Sequence, residues 1–341
     1  MINFINSKFH MPPEWHTHER TWMAWPTRKS IWADIDKVKQ QYADLAHAIR
    51  RFEPVTMIVC SQDEAEAKTL LGSDVEVLVM EIDDSWARDT GPCFILNEAG
   101  ELGGVDYTFN AWGNKYDPYD KDGDMARNIL KHVGASCVSS DLIAEGGALC
   151  VDGEGTLLTT ESCLLNDNRN IGRSKHSIEK ELKRTLGVEK VIWLPGNDYE
   201  LETNGHIDGI AAFIRPGLVL IEDIPGNHQD AVTSRINNAF MKDQVDAKGR
   251  PIELVFIEDG YDAMPEGERF CASYVNFYFT NGGIVMPKYG IASDDRARAI
   301  FDDLFPEREI IQVNINDIAK GGGGIHCITQ QQPMSSMSLL K

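Results

Sequence analysis

Gly321-Gly-Gly-Gly-Ile-His-Cys-Ile-Thr329, close to the C-terminal end of a 341-residue chain, sets a thiol beside a loop without side chains to block approach. Glycine lets backbone come close to a ligand and adopts positive φ where a turn demands it. The run leads into Ile325-His326-Cys327-Ile328-Thr329, whose composition predicts a short strand. A cysteine presented at a sheet edge in this way is a candidate nucleophile. The alternative is a linker ahead of a structural thiol, since free Cys usually behaves as a small hydrophobe. On a strand, His326 and Cys327 would point to opposite faces, which makes His326 the poorer base.

Outward from this segment the same punctuation recurs. Polar or Gly-rich clusters stand at Asp83–Gly91, Glu145-Gly-Gly147, Asn204-Gly-His-Ile-Asp208, Asn281-Gly-Gly283 and Gly321–Cys327. Successive clusters lie about 60 residues apart, a period that suggests radial or solenoid stacking. Helical patterns fall near 31–52, 122–133, 175–186, 229–240 and 293–304. Between them run β-type segments such as Val55–Cys60, Val75–Met80, Gly155–Thr160, Val191–Leu194, Leu218–Ile221, Ile252–Ile257, Tyr274–Phe279 and Ile310–Val313. The expected class is α/β, with five units bringing five clusters to one centre. No linker divides the chain, so one domain over 1–341 is expected, with 334–341 as a flexible tail.

Each cluster suggests a part of one chemistry. If Asn204–Ile214 is a strand, His206 and Asp208 project together from one face, as a general acid/base and a carboxylate would. Asp83-Asp-Ser-Trp-Ala-Arg-Asp-Thr-Gly-Pro92 crowds three carboxylates, a Trp and an Arg into ten residues. Carboxylates with an aromatic wall suit an organic cation. Arg88 reads as a structural ion-pair partner of an Asp in that loop. Glu145 adds a carboxylate at a strand end. His206, Asp208, Asp89 and Glu145 would also make an oxygen/nitrogen metal set, but thiolate-rich or multi-His sets are stronger signatures. A metal site would also leave Cys327 without a role.

Composition narrows the partners. Thirty-three basic against 53 acidic residues give a net charge of −20, which repels nucleic acid and anionic membrane and favours cationic substrates. No apolar run reaches the length of a membrane span, and the first ten residues lack a signal-peptide pattern. Seven cysteines with no C-x-x-C pair argue for free thiols and a cytoplasmic setting.

The chain resembles the agmatine deiminase family, within the guanidine-modifying enzymes of the pentein fold. The likeness runs through Met11-Pro-Pro-Glu-Trp-His-Thr-His-Glu-Arg-Thr-Trp-Met-Ala-Trp-Pro26, Asp84–Pro92, Glu145-Gly-Gly147 with Val151–Thr156, Asn204–Asp208, Ala272–Tyr278 and Gly321–Pro333. It implies a five-bladed α/β propeller with the active site on its axis. It implies Cys327 as nucleophile, His206 as general acid/base, Asp89 and Asp208 as carboxylates gripping a guanidinium, and Glu145 as the acid orienting the His. No metal and no organic cofactor is implied. The implied substrate is a small cationic guanidine, and a homo-oligomer is a further expectation. Trp86, Asp84, Glu202 and Gly324 are expected to shape the site for the substrate's tail. Gly324, Gly209, Cys150 and the 197–203 loop depart from the family pattern. In that loop Asp198, Glu200 and Glu202 form an acidic rim, which suits the distal ammonium of agmatine better than an α-carboxylate.

Overall fold

The computed structural model describes residues 8–263 and 269–336. Their strands form five sheets. One short motif recurs in each: an antiparallel pair, then a helix leading to a third strand that runs parallel to the second. Gln330–Pro333 pairs antiparallel with His18–Ala24, and helix Ile35–Arg50 connects that strand to parallel Val55–Val59. Cys93–Asn97 and Leu102–Thr108 form the next hairpin, with Ser136–Ile143 parallel. Cys150–Val151, Thr156–Thr160 and Lys190–Leu194 repeat the pattern. So do Ala211–Arg215, Leu218–Glu222 and Glu253–Ile257, and again Tyr278–Thr280, Gly283–Lys288 and Glu309–Asn314. Glu76–Val79 and Phe9–His10 extend two of the sheets.

Local sequence accounts for these elements. Val55–Val59 and Leu218–Glu222 are buried at every position, as befits strands covered on both faces. Helix Ile35–Arg50 starts where the Asp34 carboxylate accepts from Lys37 N at 3.3 Å, and it buries Val38, Tyr42, Leu45, Ala46 and Ile49 at three- and four-residue spacing. Truncating Leu45 to Ala would leave a cavity costing about 2–5 kcal/mol. Helix Lys175–Leu186 opens on the Ser174 hydroxyl and closes on Gly187 in the left-handed region, φ 68°.

Three expected strands are corrected. Ile325–Thr329 is not extended: His326–Ile328 makes a 3-10 turn, and the strand begins at Gln330. The Thr329 hydroxyl donates back to Ile325 O at 2.8 Å, and the Asn276 side-chain oxygen accepts from His326 N at 2.9 Å; both hold the backbone off a ladder. In Asn204–Ile214, Ile207–Gly209 is likewise a 3-10 turn and only Ala211 onward is strand. The predicted Tyr274–Phe279 strand starts at Tyr278.

These turns occupy equivalent places. Ala87–Thr90, Gly146–Ala148, Ile207–Gly209 and His326–Ile328 each lie just ahead of the first strand of a hairpin, and Ser273–Asn276 precedes Tyr278. Each unit therefore delivers its short polar turn at the same end of its sheet. Gly146 shows how close two turns come, since a Cβ there would collide with Arg88 O. Of the expected tail, Met334 and Ser336 donate backbone hydrogen bonds to Thr17 O and Gly100 O, both at 2.8 Å, and 337–341 lie outside the described residues. Among the described residues no helix is long and apolar enough to cross a membrane.

Candidate active site

Cys327 is 8% exposed and opens onto a pocket lined by Ile31, Trp86, Asp89, Trp112, Tyr116 and Glu202. Gly321, Gly322 and Gly323 complete the wall beside the thiol. A Cβ on Gly323 would collide with the Trp86 ring and come within 3.1 Å of Cys327 Cβ, so the bare backbone there is what keeps the pocket open. Asn276 clasps the nucleophile turn. Its Oδ1 accepts from His326 N at 2.9 Å and lies 3.4 Å from Cys327 N, while its Nδ2 donates to Cys327 Sγ at 3.3 Å. Asp208 Oδ2 lies 3.6 Å from the same sulfur. Burial first, then the charge of Asp208, holds the thiol well above its ordinary pKa in the unliganded protein.

The acids and His206 gather around Gly147. A Cβ there would sit 2.6 Å from His206 Nδ1 and 2.9 Å from both Asp208 Oδ2 and Asp89 Oδ1. Only glycine lets the His206–Asp208 turn and Asp89, from two different units, converge here. His206 Nε2 meets Glu145 Oε2 at 3.3 Å, and the other Glu145 oxygen accepts from Arg169 Nε at 2.7 Å, with neither side chain exposed. Burial alone would raise the Glu145 pKa, but Arg169 and His206 bring it below its usual value. Burial likewise opposes a charged His206, yet Asp89, Cys163 and the Glu145 hydrogen bond outweigh it and raise the imidazole's pKa well above its ordinary value. Asp89 is raised by burial, with Asp208 and Glu145 adding to it, while Trp112 Nε1 and Gly147 N donate to its two oxygens at 2.8 and 2.9 Å.

His326 has a different task. Its Nδ1 meets Asp208 Oδ2 at 2.8 Å and its Nε2 meets Glu14 Oε1 at 2.7 Å. Burial and nearby Arg88 resist its charge, but the two carboxylates prevail and raise its pKa. With both nitrogens occupied it has none to give a substrate. The expectation that His326 and Cys327 face apart is overturned by the 3-10 turn, since both reach the same Asp208 oxygen. Arg88 is structural as expected, but its partner is Glu14 at 3.6 Å rather than an Asp of its own loop.

The structure brings together Cys327, His206, Asp208, Asp89 and Glu145, with Trp86 and Glu202 on the pocket wall. It does not bring Asp84 or Gly324 to that wall. Asp84 pairs with Arg28 Nε at 2.9 Å, and the Cβ position of Gly324 is filled by the Asn276 side chain. The acidic rim reduces to Glu202. The Glu200 carboxylate folds onto its own loop and accepts from Glu202 N, Thr203 N and Gly205 N. The four-residue metal set considered from sequence does not form. Among the described residues the group close enough to share an ion is Glu145, Cys163 and His206. Trp112, Tyr116, Arg169, Arg269 and Asn276 were not singled out from sequence. Phe109-Asn-Ala-Trp-Gly-Asn-Lys-Tyr116 carried a signal, being too aromatic for a plain loop. There Ala111, Trp112, Gly113 and Asn114 all take positive φ, 52°, 55°, 97° and 59°, a left-handed turn that aims the Trp112 indole at Asp89.

Comparison with known proteins places this geometry. The family model described as Porphyromonas-type peptidyl-arginine deiminase matches residues 10–333. A Pseudomonas aeruginosa agmatine deiminase is 41% identical, over 95% of both chains. A Legionella pneumophila relative, provisionally named an agmatine deiminase, is 45% identical over 96% of this chain and 95% of its own. The solved agmatine deiminase of Enterococcus faecalis superposes with a TM-score of 0.91 at 35% identity, covering 97% of this chain and 98% of that one.

Proposed function

Because the chain belongs to the Porphyromonas-type peptidyl-arginine deiminase family, we propose that it is an agmatine deiminase, hydrolysing the guanidinium of agmatine to N-carbamoylputrescine and ammonia. The observation that carries this reading is the pocket itself: a thiol whose sulfur lies 3.6 Å from the Asp208 carboxylate, aromatic walls, and the carboxylates of Asp89 and Glu202 in the lining. In the same proposal the five sheets are blades of a ring around a central site. The recurrence of one motif, each with its polar turn at the same end, supports that arrangement.

In the proposed mechanism Asp89 and Asp208 receive the guanidinium. The arriving cation offsets the charge that keeps the Cys327 thiol protonated, so ionisation accompanies binding. The thiolate attacks the guanidinium carbon, forming a C–S bond. His206 gives its proton to one amino group, the C–N bond breaks, and ammonia leaves an amidino-cysteine. A water then yields a proton to His206 and attacks the same carbon. The C–S bond breaks, and Cys327 departs as the ureido product forms. Glu145, anchored by Arg169, keeps the His206 ring oriented and cationic. Free thiols at all seven cysteines support a cytoplasmic setting, and a homo-oligomer belongs to the same proposal.

The test measures ammonia and ureido product from agmatine, arginine and a peptidyl-arginine. Agmatine is expected to be the best substrate by kcat/KM; faster release from either arginine would sink the assignment. Cys327→Ser should lose turnover while still binding agmatine.

A further inference from the structure

The Glu202 wall of the pocket is more than one acid. Glu202 Oε2 accepts from Tyr116 OH at 2.6 Å and pairs with Arg269 Nη1 at 2.9 Å, and that same nitrogen donates to Tyr116 OH at 2.7 Å. Arg269 is fixed in turn by Nε donating to Lys320 O at 3.2 Å, just ahead of the glycine run. A Cβ on Gly322 would press on both Arg269 Cδ and Glu202 Cγ at 3.0 Å, so the bare glycine backs the pair. Lys115 Nζ pins the loop from the other side through Glu202 O at 2.7 Å and Asn204 Oδ1 at 3.1 Å. Burial and the Glu202 hydrogen bond raise the Tyr116 pKa to about 12, so it stays a donor. Every one of these bonds to the carboxylate goes to Oε2. Among the described residues Oε1 takes none.

We propose that Arg269 and Tyr116 are positioning residues for substrate selection: by holding one oxygen of Glu202 they present the other to the distal ammonium of the substrate. A carboxylate left alone on a loop would rotate, and binding would cost its ordering. Clamped through one oxygen by a single guanidinium nitrogen and a phenol, it meets the ammonium already oriented. Arg269 lowers the net charge of the tail site but makes its one open acceptor directional. The inference rests on the deiminase reading for its substrate class. It adds Arg269 and Tyr116 to a tail set that the sequence limited to Trp86, Asp84, Glu202 and Gly324.

The experiment compares agmatine with butylguanidine, which keeps the four-carbon chain and lacks the ammonium, in full-length enzyme. In Arg269→Met the ratio of kcat/KM for agmatine over butylguanidine should fall roughly tenfold, carried by KM for agmatine. Arg269→Lys should recover part of it, and Glu202→Gln should collapse the ratio further. An unchanged ratio in Arg269→Met, with both substrates slowed alike, would mean the residue only braces the fold. A lower KM for agmatine would mean that Arg269 competes with the substrate. Either result overturns the proposal. If the wild-type chain releases ammonia from neither compound, the deiminase reading is what fails. Calorimetric binding of agmatine to Cys327→Ser, with and without Arg269→Met, then still reads the tail site, and equal affinities reject the clamp.

Discussion

Cys327 and His326 are neighbours in sequence with opposite electrostatic fates. Burial and Asp208 push the thiol pKa up, whereas Glu14 and Asp208 raise that of His326 against its burial. Replacing His326 by Gln removes the imidazole that supports the Asp208 carboxylate and pairs with Glu14; kcat should fall and stability with it, and a pH profile of kcat/KM separates the two effects. Glu14 is brought down to about 2 from an ordinary 4.5, as His326 and Arg88 overcome its burial. A depressed carboxylate contributes stability above its unfolded value and loses it on acidification through the folded one. Acid unfolding followed by tryptophan fluorescence should therefore steepen between about pH 4.5 and 2, and Glu14→Gln should flatten that limb at a cost of about 2 kcal/mol near neutrality. For His206 the sign is opposite. Its raised pKa means that the acid needed for ammonia departure is lost as pH rises through that value, so turnover should decline on the alkaline side. These roles were half legible. Residue type and spacing marked the nucleophile, base and acids. The clamp by Glu14 was not readable, because it joins positions 312 residues apart in the chain.

At the level of elements, the turns decide the chemistry and the strands only carry them. Sequence pattern located four of its five expected helices within two residues, since amphipathic periodicity and caps are local, but set the start of Ile35–Arg50 four residues early and missed Glu64–Leu71. It placed strands where turns stand at 207–209 and 326–328, because the forces bending those segments come from elsewhere: Asn276 acts on the nucleophile turn, and Gly147 accepts the His206 turn. Period-two alternation was the wrong argument for bringing His206 and Asp208 together; a shared glycine neighbour was the right one. Gly323→Ala tests the turn geometry directly. The added methyl would strike Trp86 beside Cys327, and kcat/KM should fall on the order of 100-fold while the melting temperature moves little. Trp112→Phe keeps the left-handed turn but removes the donor to Asp89, leaving a buried carboxylate oxygen short of a partner. Agmatine turnover should drop roughly tenfold, read as a fall in kcat/KM.

Across the whole molecule, a net charge of −20 surrounds a pocket whose substrate is a cation. Association should be steered, so kcat/KM for agmatine should fall as ionic strength rises while kcat stays flat. The α/β class was visible in spacing, and the repeat only in part. Four of the five clusters whose spacing suggested the repeat are the turns ahead of hairpins, but Asn281-Gly-Gly283 is the loop between Tyr278–Thr280 and Gly283–Lys288, and the fifth unit presents Ser273–Asn276 instead. Which sheet received the last strand was not visible, since the pairing of Gln330–Pro333 with His18–Ala24 joins the two ends of the described chain. That seam has a practical consequence. The site is an intersection of separately supplied turns, so it need not come from one continuous chain. A break at the exposed Lys248–Gly249 turn would leave Asp89, Glu145, His206 and Asp208 on one fragment, and Asn276 and Cys327 on the other. Two strand pairings, 18–24 with 330–333 and 218–222 with 253–257, would recruit each fragment to the other. Neither fragment should release ammonia alone, and mixing them should restore activity: a guanidine-hydrolysing reporter that switches on when its halves meet.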